Sequence, residues 1–391
     1  MAIIFLPGIK GSELVDTYPL SWPHRWSLED MTIGDIVENP MDMALTEGEY
    51  DAVDGHWMRP SRVIRYAYGA MLDKLRHWKA PEPVYVHTYD WRKPMEHCAE
   101  RLVRHMQVIR GREQAAGRTG TLSFVTHSMG GLLLRSALGL ANEKSPFEGI
   151  GRIVFVAPPF RGSLGAPYAL VVGEKDGLFG SDEDHRRLAR TFPSVYQMTP
   201  SWEDAAVDED GRPLDLFDPD NWQANVRQAP EFSDAFLRNA GAFVGGGGAR
   251  YPGQSRAPLL SDAAMAKASD KVLVLCGTGH PTLQTLPVQT RNTRNPNWFD
   301  FAHAQGDTSG DGRVPLRSAA IKGVTLAAFS NVADHGLLCR EERIVNLTSL
   351  WLEGKAALKM TRRGPDHAVK RSRSYFQPWD GKADSLDSHI V

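Results

Sequence analysis

Short, continuous apolar runs recur along the chain at 2–6, 84–88, 122–126, 153–157, 272–276 and 324–329. Runs of this length, largely without polar alternation, predict strands buried on both faces of a parallel sheet. Helical spacing appears between them. Cys98, Leu102, Val103, Met106 and Ile109 fall three and four residues apart and predict a helix over 98–109. A second helix is predicted over 132–140, directly after Gly130-Gly131. A third covers 344–352 with Leu347, Leu350 and Trp351. Strands alternating with helices predict an α/β fold with a doubly wound, mostly parallel sheet.

The alternation breaks in two places. Residues 13–68 hold Trp22, Trp26 and Trp57 among prolines, glycines and acids, with no long periodic element. Residues 164–268 carry two aromatic clusters, at 192–202 and 222–236, and then the glycines 245–248. A stretch this long is expected to be an inserted cap, a flexible surface insertion being the plainer alternative. The expected organisation is a core of 1–163 and 269–359, an insertion at 13–68, a cap at 164–268 and a loose tail over 360–391.

Composition narrows the function classes. The chain has 391 residues, 42% of them hydrophobic, which is ample for a core. Lys and Arg number 45 against 47 Asp and Glu, for a net charge of −2, so no basic footprint for nucleic acid is present. No apolar window is long enough for a transmembrane segment. The opening MAIIFLPG has no basic n-region and no small-residue cleavage site, and reads as a strand. Cys98, Cys276 and Cys339 form no CxxC pair, so neither a disulfide framework nor a metal site is expected. The cytoplasm is the expected compartment, with unconventional secretion left open; oligomeric state is not legible.

The strongest local signal is the stretch Leu122 to Gly131, where a predicted strand runs into His127-Ser128-Met129-Gly130 and then a helix. A sharp strand-to-helix turn of this kind exposes a serine hydroxyl above the sheet. Gly130 meets the need for a small residue after the serine; Thr126 stands where the usual pattern has glycine. The plainer reading is a serine capping an ordinary helix. A serine nucleophile needs a base oriented by a carboxylate, in the chain order Ser, acid, His. Asp311 in Gly310-Asp311-Gly312-Arg313-Val314-Pro315 and His335 in Asp334-His335-Gly336 lie in loops at late strand ends, in that order. Asp307 to Gly312 also fits the opening of a calcium loop, but the twelfth position is Ser318 where a bidentate Glu is needed. An oxyanion hole needs two backbone N–H groups. Met129, after the serine, is one candidate, and the loop Pro7 to Ser12, with Gly8 and Gly11, offers the place for the other.

These residues carry a resemblance. The opening PGIKGSEL, Tyr89-Asp90-Trp91-Arg92, THSMGG, the stretch Ala157 to Ser163, Leu275-Cys276-Gly277-Thr278-Gly279 with Pro281-Thr282, GDGRVP and Asp334-His335-Gly336 resemble, in order, motifs of the lecithin:cholesterol acyltransferase family. Ala157 stands where that family has Gly, and Arg161 is bulkier than its pattern. The resemblance implies an α/β-hydrolase with a cap, acting without a cofactor on acyl esters of lipids. It implies Ser128, Asp311 and His335 as a triad, and Ile9 and Met129 as oxyanion donors. Asp90 and Arg92 are read as supporting a loop rather than as catalytic. The expected activity is a serine esterase, lipase or O-acyltransferase on an apolar acyl ester, with a lipid surface as one setting. An amidase or peptidase on the same fold, or an inactive binding protein, are the alternatives.

Overall fold

The computed structural model of the chain describes residues 1–16, 25–26, 40–45, 58–174, 181–245, 258–355, 377–382 and 386. Trp22, Trp57, residues 246–248 and most of the 360–391 tail lie outside the described residues.

Six parallel strands form the central sheet: β1 (Ala2–Leu6), β2 (Val84–Val86), β3 (Leu122–His127), β4 (Ile150–Val156), β5 (Val272–Thr278) and β6 (Thr325–Ser330). A short strand β7 (Gln377–Pro378) pairs antiparallel with β6 at one edge. The order across the sheet is β7-β6-β5-β4-β3-β1-β2. The chain therefore reverses its direction of winding between β1 and β3. The crevice at the carboxyl ends of these two strands is where an open α/β sheet binds ligands. β1 is wholly buried on both faces, which is why its sequence is a continuous apolar run.

Successive β1 side chains enter different cores. Ala2, Ile4 and Leu6 join one cluster with α2 (Met95–Ala115) and α3 (Gly130–Ala141). Ile3 and Phe5 join another with α1 (Arg65–Lys79) and α4 (Glu342–Leu352). The helix α1 begins inside the 13–68 stretch, where no long periodic element is legible. Its buried residues Tyr68, Met71, Leu72 and Leu75 nonetheless have helical spacing. Its N-terminus has no side-chain cap, which removes the usual starting signal. The same insertion contributes a three-stranded sheet from Ser12–Asp16, Arg25–Trp26 and Met58–Val63.

The described part of 164–268 is helical and well packed. Helices Gly165–Val171, Asp182–Arg190 and Asp234–Gly245 and the turns between them bury Phe192, Tyr196, Trp222, Leu237 and Phe243. These side chains are continuous with the α2–α3 core. Residues 280–310 lie off the central sheet. The strand His280–Gln289 pairs antiparallel with Gln305–Gly310 and Trp298–Phe299, and parallel with Ala206–Val207 from the insertion. Trp222 packs on Phe299 with ring centroids 4.9 Å apart, closing this second layer. The strand 280–289 alternates buried and half-buried residues, the pattern of a sheet covered on one face only. No helix among the described residues is long and apolar enough to cross a membrane.

Candidate active site

The chain turns sharply between β3 and α3. Ser128 sits at φ 52°, a left-handed conformation that costs energy for a residue with a Cβ. The turn is pinned on both sides: Ser128 N–H donates to the Val156 carbonyl at 2.9 Å, and the Ser128 carbonyl accepts from Gly131 N–H at 2.8 Å. A Cβ on Gly130 would lie 2.6 Å from the Pro7 carbonyl oxygen, so only glycine lets the turn sit this close to the loop after β1. Thr126, two residues before the serine, is accommodated inside the sheet between Leu6 and Phe155.

Ser128, Asp311 and His335 come together at the carboxyl end of the sheet. His335 Nε2 lies 2.8 Å from Ser128 Oγ, and His335 Nδ1 lies 2.7 Å from Asp311 Oδ2. The other carboxylate oxygen of Asp311 accepts from the N–H groups of Arg313 at 3.1 Å and Val314 at 2.8 Å. The carboxylate is thus fixed by the turn that carries it. Asp311 is buried and His335 nearly so. The hairpin ending at Gly310 delivers Asp311, and β6 delivers His335 through the 331–334 loop. Asp307, first residue of the calcium-like stretch, is engaged by Ser309 and Gln284. Among the described residues no group of three or more His, Cys, Asp or Glu is arranged to hold a metal ion.

The loop Pro7 to Ser12 lies against the serine turn: a Cβ on Gly8 would approach Ser128 Cβ to 2.8 Å. Gly8 N–H is engaged by the Tyr68 hydroxyl at 3.0 Å, and the Gly8 carbonyl accepts from Gly11 N–H at 3.1 Å. The N–H groups of Ile9 and Met129 donate to no backbone acceptor among the described residues. Gly11 leaves room for Tyr68, whose hydroxyl would be 2.6 Å from a Cβ there.

The Tyr89 to Arg92 stretch braces this loop through Tyr89 and Trp91. Tyr89 donates its hydroxyl proton to the Pro7 carbonyl at 2.9 Å, and Trp91 donates from Nε1 to the Ser12 carbonyl at 3.0 Å. Asp90 and Arg92 form a buried two-pronged pair, at 2.9 and 2.8 Å, and Arg92 also reaches the Met43 carbonyl at 2.8 Å. They tie the first insertion to the core, away from the serine.

The start of the 164–268 segment and the residue before it reach the acid turn. Ser163 donates to the Arg313 carbonyl, and the Arg313 guanidinium pairs with Glu174. A cavity of about 380 Å³ beside the Asp311 turn is lined by Ser163, Tyr168, Glu174, Leu283, Gly312 and Arg313. Lys10, in the glycine loop, feels both charges of that pair; burial above all pulls its ammonium pKa down to about 8. Arg161, the bulky departure in the Ala157 to Ser163 motif, donates to the Ala320 carbonyl at 2.5 Å and pairs with Asp262.

A serine on a left-handed strand-to-helix turn, at the switch point of a mostly parallel sheet, is the arrangement of the α/β-hydrolase fold. Part of the chain is similar to one family. The profile of the lecithin:cholesterol acyltransferase family matches residues 50–225, a stretch that includes Ser128 and the Tyr89 to Arg92 motif, while Asp311 and His335 lie beyond it. This match supports an ester hydrolase or acyltransferase in general. Among solved structures, a chain of the Tle4–Tli4 complex is similar at 13% identity, covering 92% of this chain and 99% of that one, with a TM-score of 0.61. The mature Bacillus licheniformis lipase BlEst2 aligns at 12% identity over 90% of this chain and 91% of its own, with a TM-score of 0.39. The Bacillus subtilis carboxylesterase CesB aligns at 10% identity over 90% and 84%, with a TM-score of 0.31. The first likeness shows a shared fold. No curated protein sequence matches significantly.

Proposed function

We propose that this protein is a serine-dependent hydrolase or O-acyltransferase of apolar acyl esters, with Ser128 as nucleophile, His335 as general base and acid, and Asp311 as the carboxylate that orients it. The observation that carries this reading is the unbroken chain from Ser128 Oγ to His335 Nε2 at 2.8 Å and from His335 Nδ1 to Asp311 Oδ2 at 2.7 Å. Ser128 Oγ attacks the ester carbonyl carbon while His335 takes its proton. The oxyanion that develops is met by the N–H groups of Ile9 and Met129. Collapse of the tetrahedral intermediate breaks the ester C–O bond, and His335 returns the proton to the departing alkoxide. Water, or an alcohol held under the cap, then attacks the acyl-enzyme by the same steps in reverse. Three buried free thiols, Cys98, Cys276 and Cys339, support a reducing compartment such as the cytoplasm.

The test is p-nitrophenyl esters of graded acyl length with and without a lipophilic alcohol, together with labelling by a fluorophosphonate probe. Wild type is expected to turn over and to be labelled. Ser128→Ala is expected to lose labelling and about 10⁴-fold or more in kcat, because triad members act as a unit. Labelling of Ser128→Ala at the wild-type rate, or turnover of anilides in preference to esters, overturns the reading.

A further inference from the structure

Two buried side chains beside the triad have no part in the reaction as described. His127 directly precedes Ser128, and Tyr68 reaches it from α1. Tyr68 Oη lies 3.0 Å from His127 Nδ1 and accepts from Gly8 N–H at 3.0 Å. His127 Nε2 lies 2.9 Å from the His335 carbonyl oxygen. The proton positions follow by elimination. A carbonyl oxygen can only accept, so His127 Nε2 carries the hydrogen and donates to His335. In a neutral ring Nδ1 is then an acceptor, so the Tyr68 hydroxyl donates to it, and the oxygen of that hydroxyl remains free to accept from Gly8. Burial, and the neighbouring His335 ring, hold the His127 pKa down at about 3, so the ring stays neutral through the working range of pH. His127 lies against both partners, its centroid 4.9 Å from that of His335 and 5.5 Å from that of Tyr68.

We propose that Tyr68 and His127 are positioning residues forming one relay, Gly8 N–H to Tyr68 O–H to His127 Nδ1, then His127 Nε2–H to His335 O=C, which sets the general base and the oxyanion loop relative to the nucleophile. It rests on the assignment of Ser128 and His335 above. His335 arrives on a loop far from Ser128 in sequence, and a loop alone leaves its position soft. The relay anchors it to the residue next to the nucleophile. Its N–H donates to the Asp311 carbonyl at 3.0 Å, its carbonyl accepts from His127, and its Nδ1 is held by Asp311. The only ring atom left is Nε2, facing Ser128. At the other end, Tyr68 occupies Gly8 N–H, so Ile9 N–H is the next donor of the loop. One hydroxyl thereby connects the base to the oxyanion side. Neither Tyr68 nor His127 needs to touch substrate, so their loss acts on kcat and leaves KM for a short ester in place.

The experiment compares Tyr68→Phe, His127→Gln and His127→Asn. The amide nitrogen of Gln sits near the position of imidazole Nε2 and can still donate to the His335 carbonyl; Asn is too short for that but can still accept from Tyr68. With p-nitrophenyl acetate, His127→Asn is expected to lose about 10²-fold in kcat, the cost of a misplacement on the order of 1 Å. Tyr68→Phe is expected to lose about 10-fold, and His127→Gln to recover most of the loss, all with KM unchanged. Equal kcat for Gln and Asn, or an unaffected Tyr68→Phe, overturns the relay. A second measurement needs no catalysis: NMR of ring-¹⁵N histidine in the Ser128→Ala protein is expected to show His127 neutral and protonated on Nε2 between pH 6 and 8. The other tautomer, or a titration in that range, overturns the relay whatever the fluorophosphonate result. Loss of fluorophosphonate labelling at Ser128 in wild type would instead reject the triad assignment on which the relay rests.

Discussion

Asp311 holds His335 at two points, by carboxylate to ring at 2.7 Å and by carbonyl to main-chain N–H at 3.0 Å. The same carboxylate caps its own turn through Arg313 and Val314 N–H. Orientation of the imidazole and integrity of the turn therefore reside in different oxygens of one side chain. Asp311→Asn keeps an oxygen for the turn but offers the imidazole the wrong partner. It is expected to cost about 10⁴ in kcat, as a tautomer defect does, with little change in melting temperature. Asp311→Ala is expected to lose both. Steady-state kinetics beside thermal melts separates the two; equal melting loss in Asn and Ala would contradict the division of labour.

Arg161 binds the core to the segment before β5 rather than to the reaction. Its guanidinium serves the Ala320 carbonyl and Asp262, while Asp262 also pairs with Arg135 at 3.2 Å. Arg161→Met is expected to lower stability by about 1–3 kcal/mol through the acceptors left unpaired, and to leave kcat within a few-fold. Urea unfolding with parallel kinetics checks this. A large kcat loss without destabilisation would place Arg161 in the chemistry instead.

Thr126 stands at the position where glycine is usual, and its hydroxyl finds no partner among the described residues. Thr126→Val is therefore expected to be neutral or stabilising by about 1 kcal/mol, since it deletes an unsatisfied polar group at constant shape. Thr126→Gly restores the common pattern and is expected to destabilise, because the interior of a strand loses packing and gains backbone freedom. Thermal melts of the pair decide; stabilisation by Gly would mean that Thr126 strains the elbow.

Glu174 balances Arg313, and also Lys10, beside the acid turn. Glu174→Gln removes the carboxylate that pairs with Arg313 and leaves the Arg313 guanidinium unneutralised by it at the 380 Å³ cavity. Esters with an anionic group on the acyl chain or alcohol are expected to gain about 10-fold in kcat/KM over neutral esters, the worth of one charge-assisted contact. The comparison needs matched neutral and carboxylate-bearing substrates at low salt. An equal change for both classes would show that the pair only braces the loop.

His87 is buried against His105, and burial with those neighbours brings its pKa from the ordinary 6.5 down to about 3. The folded protein keeps this ring neutral, while the unfolded chain protonates it below about 6.5. Between those values the unfolded state binds more protons, so stability falls as pH falls, at up to about 1.4 kcal/mol per pH unit for this group. His87→Gln removes one titrating group. Its unfolding free energy is expected to decline less steeply than that of wild type from pH 6.5 towards 4 in urea titrations, and identical slopes would refute the assignment.

The strands were legible because burial on both faces requires continuous apolar runs, and β1, read as residues 2–6, is found at those residues. The predicted helix 98–109 lies within Met95–Ala115 for a similar reason, since one face of it must be apolar. Ser128 was legible from a strand, a small-residue turn and a helix in sequence. Asp311 and His335 could be ranked only by chain order and by their place at strand ends, because many side chains of each type are available. Their meeting with the serine depends on the crossover of the sheet, which local spacing does not encode. The strand 280–289 pairs with 206–207 across a long separation in sequence, so its membership of the outer sheet was decided by tertiary packing alone. The same holds for Tyr68 and His127. An aromatic on a helical stripe reads as core, and it becomes a hydrogen-bond donor to a particular ring only when α1, the elbow and the loop after β6 are brought to one point. Sequence by itself determined which segments must be buried and where a nucleophile can stand; the fold decided which distant polar groups face it, because hydrogen bonds between loops are set by three-dimensional geometry and not by the order of residues.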